Sequence, residues 1–153
     1  MADLYVLAPE RSKKVVQDFL FRWANGFEEC ADEYEFPQYS ESPEKVYRSP
    51  LDLIERLISD RKAPHSIYWR NPRKELISMA MLFFTTDGFM IAGVTAETED
   101  DAELRQLLES LASSLNSSYG IAFFEEPPPS SGLEFIAAVQ AATELRVIKE
   151  ERA

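Results

Sequence analysis

Cys30 and His65 have the chemistry of a nucleophile and its base, and each is the only residue of its type in the chain. A thiol becomes reactive when a neighbouring imidazole takes its proton. The two lie in unrelated segments 35 residues apart, and neither sits in a nucleophile pattern such as Gly-x-Ser-x-Gly. Spacing alone therefore joins no dyad. His65 reads instead as a capping or surface histidine. A lone cysteine also excludes an internal disulfide framework, and a lone histidine excludes a multi-histidine metal site.

Adjacent carboxylates occur at Glu28-Glu29, Asp32-Glu33, Asp100-Asp101 and Glu125-Glu126. Glycoside hydrolysis needs two acids facing each other across a cleft. Neighbours on a strand point to opposite faces, so Glu125 and Glu126 cannot form that pair by themselves. No Asp-x-Asp-x-Asp-Gly calcium loop is present. The five glycines, Gly26, Gly88, Gly93, Gly120 and Gly132, stand too far apart for a phosphate-cradling loop. The expectation is a protein that is not an enzyme, with no catalytic residues, no cofactor and no metal.

Contact chemistry is better represented. In Ile67-Tyr68-Trp69-Arg70, strand alternation puts Tyr68 and Arg70 on one face and Ile67 and Trp69 on the other. Trp69 is then either core or contact, because Tyr, Trp and Arg are the usual anchors of interfaces. Glu125-Glu126 precedes Pro127-Pro128-Pro129, a stiff extended run that is either a plain connector or an acidic reading head. The acidic stretch from Glu28 to Glu44 carries Tyr34, Phe36 and Tyr39 between its charges. The candidate partner-binding residues are therefore Tyr34, Tyr39, Tyr68, Arg70, Glu125 and Glu126.

The elements that must hold these residues follow from hydrophobic spacing. Leu4–Leu7 is a short apolar run suited to a strand buried on both faces. Val15, Val16, Phe19, Leu20 and Trp23 form one helical stripe, stopped at Asn25-Gly26. Residues 27–45 lack a long period: Glu33–Phe36 reads as an edge strand, Val46-Tyr47 as another brief strand, and the segment as either a pinned covering strand or a functional loop. Ser49-Pro50 opens a helix buried through Leu51, Ile54, Leu57 and Ile58. Ser66–Arg70 and Leu76–Thr85 are strands, the second apolar on both faces and so central. Asp87-Gly88 turns the chain back into Phe89–Ala96, with Gly93 marking a bulge or a close approach. Thr98-x-x-Asp101 and Ser131-x-x-Glu134 match capping boxes for two more helices, with the strand Tyr119–Phe124 between them. The expected fold is α+β: a mostly antiparallel sheet of five or six strands, flanked by about four helices. Residues 1–153 form one domain, with 147–153 a frayed charged tail.

At 153 residues there is room for one core, and 45% hydrophobic with 28% charged residues is the balance of a globular chain. The formal net charge is −11, which argues against a nucleic-acid binder. The charge is uneven. Residues 1–75 hold 12 basic and 14 acidic side chains, and residues 76–153 hold 4 and 13. Such a field attracts a basic partner. The N-terminus carries Asp3 and lacks a basic leader, and the apolar run Met79–Phe84 is too short to span a membrane. The expectation is a cytoplasmic protein with no membrane association.

In size, acidity and α+β element order, the chain resembles the small cytoplasmic immunity proteins of bacterial toxin systems. The strings Glu35-Phe36-Pro37-Gln38-Tyr39, Ser66–Asn71 and Phe123–Pro129 look like those of uncharacterised bacterial proteins. The first resemblance implies a protein that binds and blocks a toxin, without catalysis or cofactor. The leading expectation is thus a non-enzymatic acidic module for a basic, toxin-like protein partner. Its rival is a small-ligand sensor or enzyme whose pocket is built by the sheet and the 27–45 loop. A third reading pairs copies through an exposed Ser66–Arg70 strand; otherwise the chain is a monomer or a weak homodimer.

Overall fold

The computed structural model describes residues 1–149. In chain order its elements are β1 (Ala2–Leu7), α1 (Lys13–Trp23), β2 (Glu28–Glu29), β3 (Tyr34–Phe36), β4 (Lys45–Tyr47), α2 (Pro50–Ser59), β5 (His65–Arg70), β6 (Ile77–Phe84), β7 (Met90–Ala96), α3 (Asp101–Ser114), β8 (Tyr119–Phe123), α4 (Gly132–Ala141) and β9 (Arg146–Ile148). Seven strands make one sheet in the order β2-β5-β6-β7-β1-β8-β9, and β3 and β4 form a separate two-stranded ribbon. Every pairing is antiparallel.

The class is the expected α+β with four helices among the described residues, but the sheet exceeds five or six strands. The additions are its two edges. β2 is a pair of exposed glutamates with no periodic signal, and β9 overlaps the start of the 147–153 segment expected to fray. Arg146, Val147 and Ile148 instead pair with Ile121, Gly120 and Tyr119. The tail thus holds its place through Ile148, and residues 150–153 lie outside the described residues.

The sheet is buried on both faces. On one face Leu4, Val6, Trp69, Leu82 and Val94 pack against Val16, Phe19, Leu53, Ile54, Leu57, Leu104 and Leu108 of α1, α2 and α3. On the other, Tyr5, Leu7, Met81, Ile91 and Ile121 meet Phe135 and Val139 of α4. Strand alternation thus sends Ala2, Leu4 and Val6 of β1 to one core and Tyr5 and Leu7 to the other. Trp69 is core, at 5% exposure. Truncating a fully buried ring such as Phe19 to alanine removes about 3–5 kcal/mol.

Local chemistry sets the ends of the elements. Ser12 and Ser131 cap α1 and α4 by accepting from the Val15 and Glu134 N–H groups. α3 is capped two positions beyond the expected Thr98: Asp100 Oδ1 accepts from Glu103 N at 2.8 Å, while Thr98 Oγ1 accepts from Asp100 N. Thr98 thus orients the cap instead of being it. α3 ends in a Schellman arrangement, with Ser117 N bonded to Ala112 O and Asn116 N to Ser113 O, and Asn116 left-handed at φ 55°. The 86–88 turn is a three-residue loop with only Gly88 at positive φ, so the Asp87 side chain is free for another task.

Residues 27–45 are not a free loop. Glu28 and Glu29 pair with Arg70 and Trp69, and Cys30 N donates to Tyr68 O at 3.2 Å. The Gln38 amide then takes the place of a strand neighbour: Ser66 N donates to its Oε1 at 2.9 Å, and its Nε2 donates to Ser66 O at 3.2 Å. The outer edge of β5 is thereby closed. The reading of Ser66–Arg70 as an exposed strand for pairing copies is corrected accordingly.

Candidate functional site

A cleft of about 690 Å³ opens where β5 begins and β6 ends. One wall is the Phe36–Tyr39 segment, which contains a cis Phe36–Pro37 peptide. The floor is the sheet rim, with Ser66, Tyr68, Phe83 and Thr85. The turn after α2 (Asp60, Lys62, Ala63, Pro64) and the run Pro127–Ser130 supply the other walls. Aromatic rings and prolines dominate, and the volume suits a drug-sized ligand or a few side chains. At the mouth Arg56 bonds Glu44 at 3.1 Å and lies 4.4 Å above the Phe36 ring.

Arg11 holds these walls together. It is buried with no salt-bridging carboxylate among the described residues, and its guanidinium donates to the carbonyls of Leu57 (2.8 Å), Asp60 (3.0 Å), Ala63 (2.8 Å) and Thr85 (2.9 Å). Leu57 and Asp60 bear carbonyls that the end of α2 leaves without helical partners. A rigid five-donor fork suits such divergent acceptors. Burial brings the Arg11 pKa down to about 10, so it stays charged at neutral pH. Sequence reasoning missed this residue; its only signal was an arginine just ahead of a helix cap.

Asp87 does the corresponding work on the far wall. Its carboxylate accepts from Gly132 N at 2.8 Å and Leu133 N at 3.2 Å, fixing the start of α4 just after the proline run. Burial works against the charge, but these N–H groups outweigh it and hold the carboxyl below its ordinary range. Gly132 is required there, since a Cβ would stand 2.3 Å from the Phe89 ring.

Two of the six predicted residues line the cleft and two adjoin it. Tyr39 stands 80% exposed on its wall, and Tyr68 is 36% exposed on its floor. Glu125 and Glu126 are exposed immediately before the proline wall, with Glu125 at φ 60° turning the chain. Tyr34 is a correction: alternation along β3 turns it into the core at 5% exposure, and burial raises its phenol pKa to about 12. Arg70 is exposed at the far end of β5 and bonded to Glu28 at 2.9 Å, away from the cleft lining.

Cys30 and His65 both line a smaller recess of about 210 Å³ on the other side of Gln38. They do not make a dyad. His65 Nε2 lies 3.0 Å from Glu35 O and Nδ1 lies 3.1 Å from Ser66 O, so each ring nitrogen faces a backbone carbonyl, to one of which the neutral ring donates, and neither faces the thiol. Burial raises the Cys30 pKa, the opposite of what a nucleophile needs. No group of three or more His, Cys, Asp or Glu among the described residues is placed to hold a metal ion. No helix among them is long and apolar enough to cross a membrane.

No protein-family model, curated protein or solved structure matches this chain.

Proposed function

We propose that the protein is a non-enzymatic, cytoplasmic binding module that seats part of a basic protein partner in the aromatic cleft, as an immunity protein seats its toxin. The observation that carries this reading is the convergence of Tyr39 and Tyr68 on one cleft, beside the exposed Glu125 and Glu126. Aromatic anchors within an acidic rim fit protein recognition, where rings supply affinity and charge supplies encounter rate. His65 serves structure in this reading, because both its nitrogens face backbone carbonyls.

The test is affinity capture from the native host with the wild-type chain and with Tyr39→Ala and Glu125→Lys/Glu126→Lys. A basic protein retained by the wild type and lost from both variants supports the reading. Equal capture by all three overturns it. A second reading, a small-ligand sensor, is favoured by the cleft volume. A low-molecular-mass compound copurifying with the wild type, and absent from Tyr68→Ala, would favour that reading.

A further inference from the structure

Four rings run across the α4 side of the sheet and emerge in the cleft. Phe123 of β8 lies 6.0 Å from Tyr5 of β1, tilted by 54°. Tyr5 meets Phe83 of β6 edge-on at 5.7 Å and 80°, and Phe83 meets Tyr68 of β5 at 5.8 Å and 89°. The intervening β7 yields its place: Gly93 lies under the Tyr5 ring, where a Cβ would stand 2.5 Å from Tyr5 Cδ1. The row runs from the half-buried Phe123 through Tyr5, at 2% exposure, and ends at Tyr68 on the cleft floor. Tyr39 stands on the adjoining wall, and no ring pair among the described residues includes it.

We propose that the cleft takes an aromatic side chain of the protein partner as the next ring of this row, between Tyr68 and Tyr39. The inference rests on the reading of the cleft as a site for a protein. Edge-to-face and offset ring pairs favour an aromatic over an aliphatic group of equal size. The charges lining the cleft balance, with Glu44 paired to Arg56, and Asp60 and Lys62 contributing one charge of each sign, so the group inserted is neutral. Outside the cleft the excess is acidic, with Glu125 and Glu126 exposed and a net charge of −11. The recognised element is therefore an aromatic residue flanked by lysine or arginine.

The experiment titrates the isotope-labelled full chain with acetylated, amidated Lys-X-Lys peptides, in which X is tryptophan, cyclohexylalanine or alanine, and with free indole. The expected result is binding of the tryptophan peptide about fivefold tighter than the cyclohexylalanine peptide. Ring-current shifts should fall on Tyr39, Tyr68 and Phe83. Tyr39→Ala, whose side chain is 80% exposed and leaves the core intact, should abolish that preference. Equal binding of the two peptides in the cleft overturns the aromatic inference and leaves the protein-binding reading standing. Indole binding as tightly as the tryptophan peptide assigns the cleft to a small molecule and overturns the inference. No cleft shifts with any probe overturn both.

Discussion

Arg11 shows how much of the site hangs on one side chain outside the contact set. Replacing it with methionine keeps the bulk but leaves the Leu57, Ala63 and Thr85 carbonyls without the guanidinium donor, and the Asp60 carbonyl with only the Ala63 N–H. Unpaired buried acceptors are costly, so a loss of about 3–4 kcal/mol and a Tm fall of about 10 °C are expected in a calorimetric melt. Arg11→Lys should recover little of this, because one ammonium cannot reach acceptors spread around a planar fork. Tyr39 behaves oppositely. It holds φ 62°, a left-handed conformation that disfavours residues with a Cβ. Tyr39→Gly should raise stability by up to about 1 kcal/mol in urea unfolding while abolishing partner capture. His65 sets a pH dependence. Burial pushes its pKa below the ordinary 6.5, against the pull of the Glu35 and Ser66 carbonyls. The folded state then takes up its proton later than the unfolded state. Stability from this group is complete above pH 6.5 and falls as acidification proceeds from there towards the lower folded pKa. Unfolding midpoints measured from pH 7 downward should show that fall, and His65→Gln should remove it.

Among the elements, Gln38 makes the sharpest prediction. Its amide closes the edge of β5 and anchors the cleft wall at Ser66. In Gln38→Ala, hydrogen exchange should quicken at the Ser66 amide and through 34–39, while β6 and β7 keep their protection. The same segment marks where the sequence became hard to read. Val15, Val16 and Phe19, the two apolar faces of β6, and Ser131 with Glu134 were legible because a period or cap depends on neighbours in sequence. Gln38 and Arg11 were not, because their partners lie 28 and 46 or more residues away. Tyr34 was misread as a contact for a related reason: the three residues of β3 show alternation but not which face is inward. β2 and β9 were overlooked because an edge strand of two or three residues borrows its register from its neighbour. Of the cleft, the aromatic and proline residues were visible as strings, and their convergence was not.

The molecule as a whole is an acid with closed flanks. Its sheet ends in β2, two residues long, and β9, three residues long, so neither edge offers much ladder to a second copy. The net charge of −11 should instead govern its encounter with a basic partner. Measured by stopped flow with the captured partner, the association rate should fall about tenfold between roughly 0.05 and 0.5 M salt, with a much smaller change in dissociation. A salt-independent association rate would remove the electrostatic part of the proposal. The position of β1 carries a different consequence. It is a central strand, hydrogen-bonded to β7 on one side and to β8 on the other, as far as Phe123. During synthesis β1 must therefore wait for the later β7 and β8 to leave the ribosome before either neighbour exists. A chain stalled before Tyr119 would hold β1 as an apolar ribbon sealed by β7 on one side and open on the other.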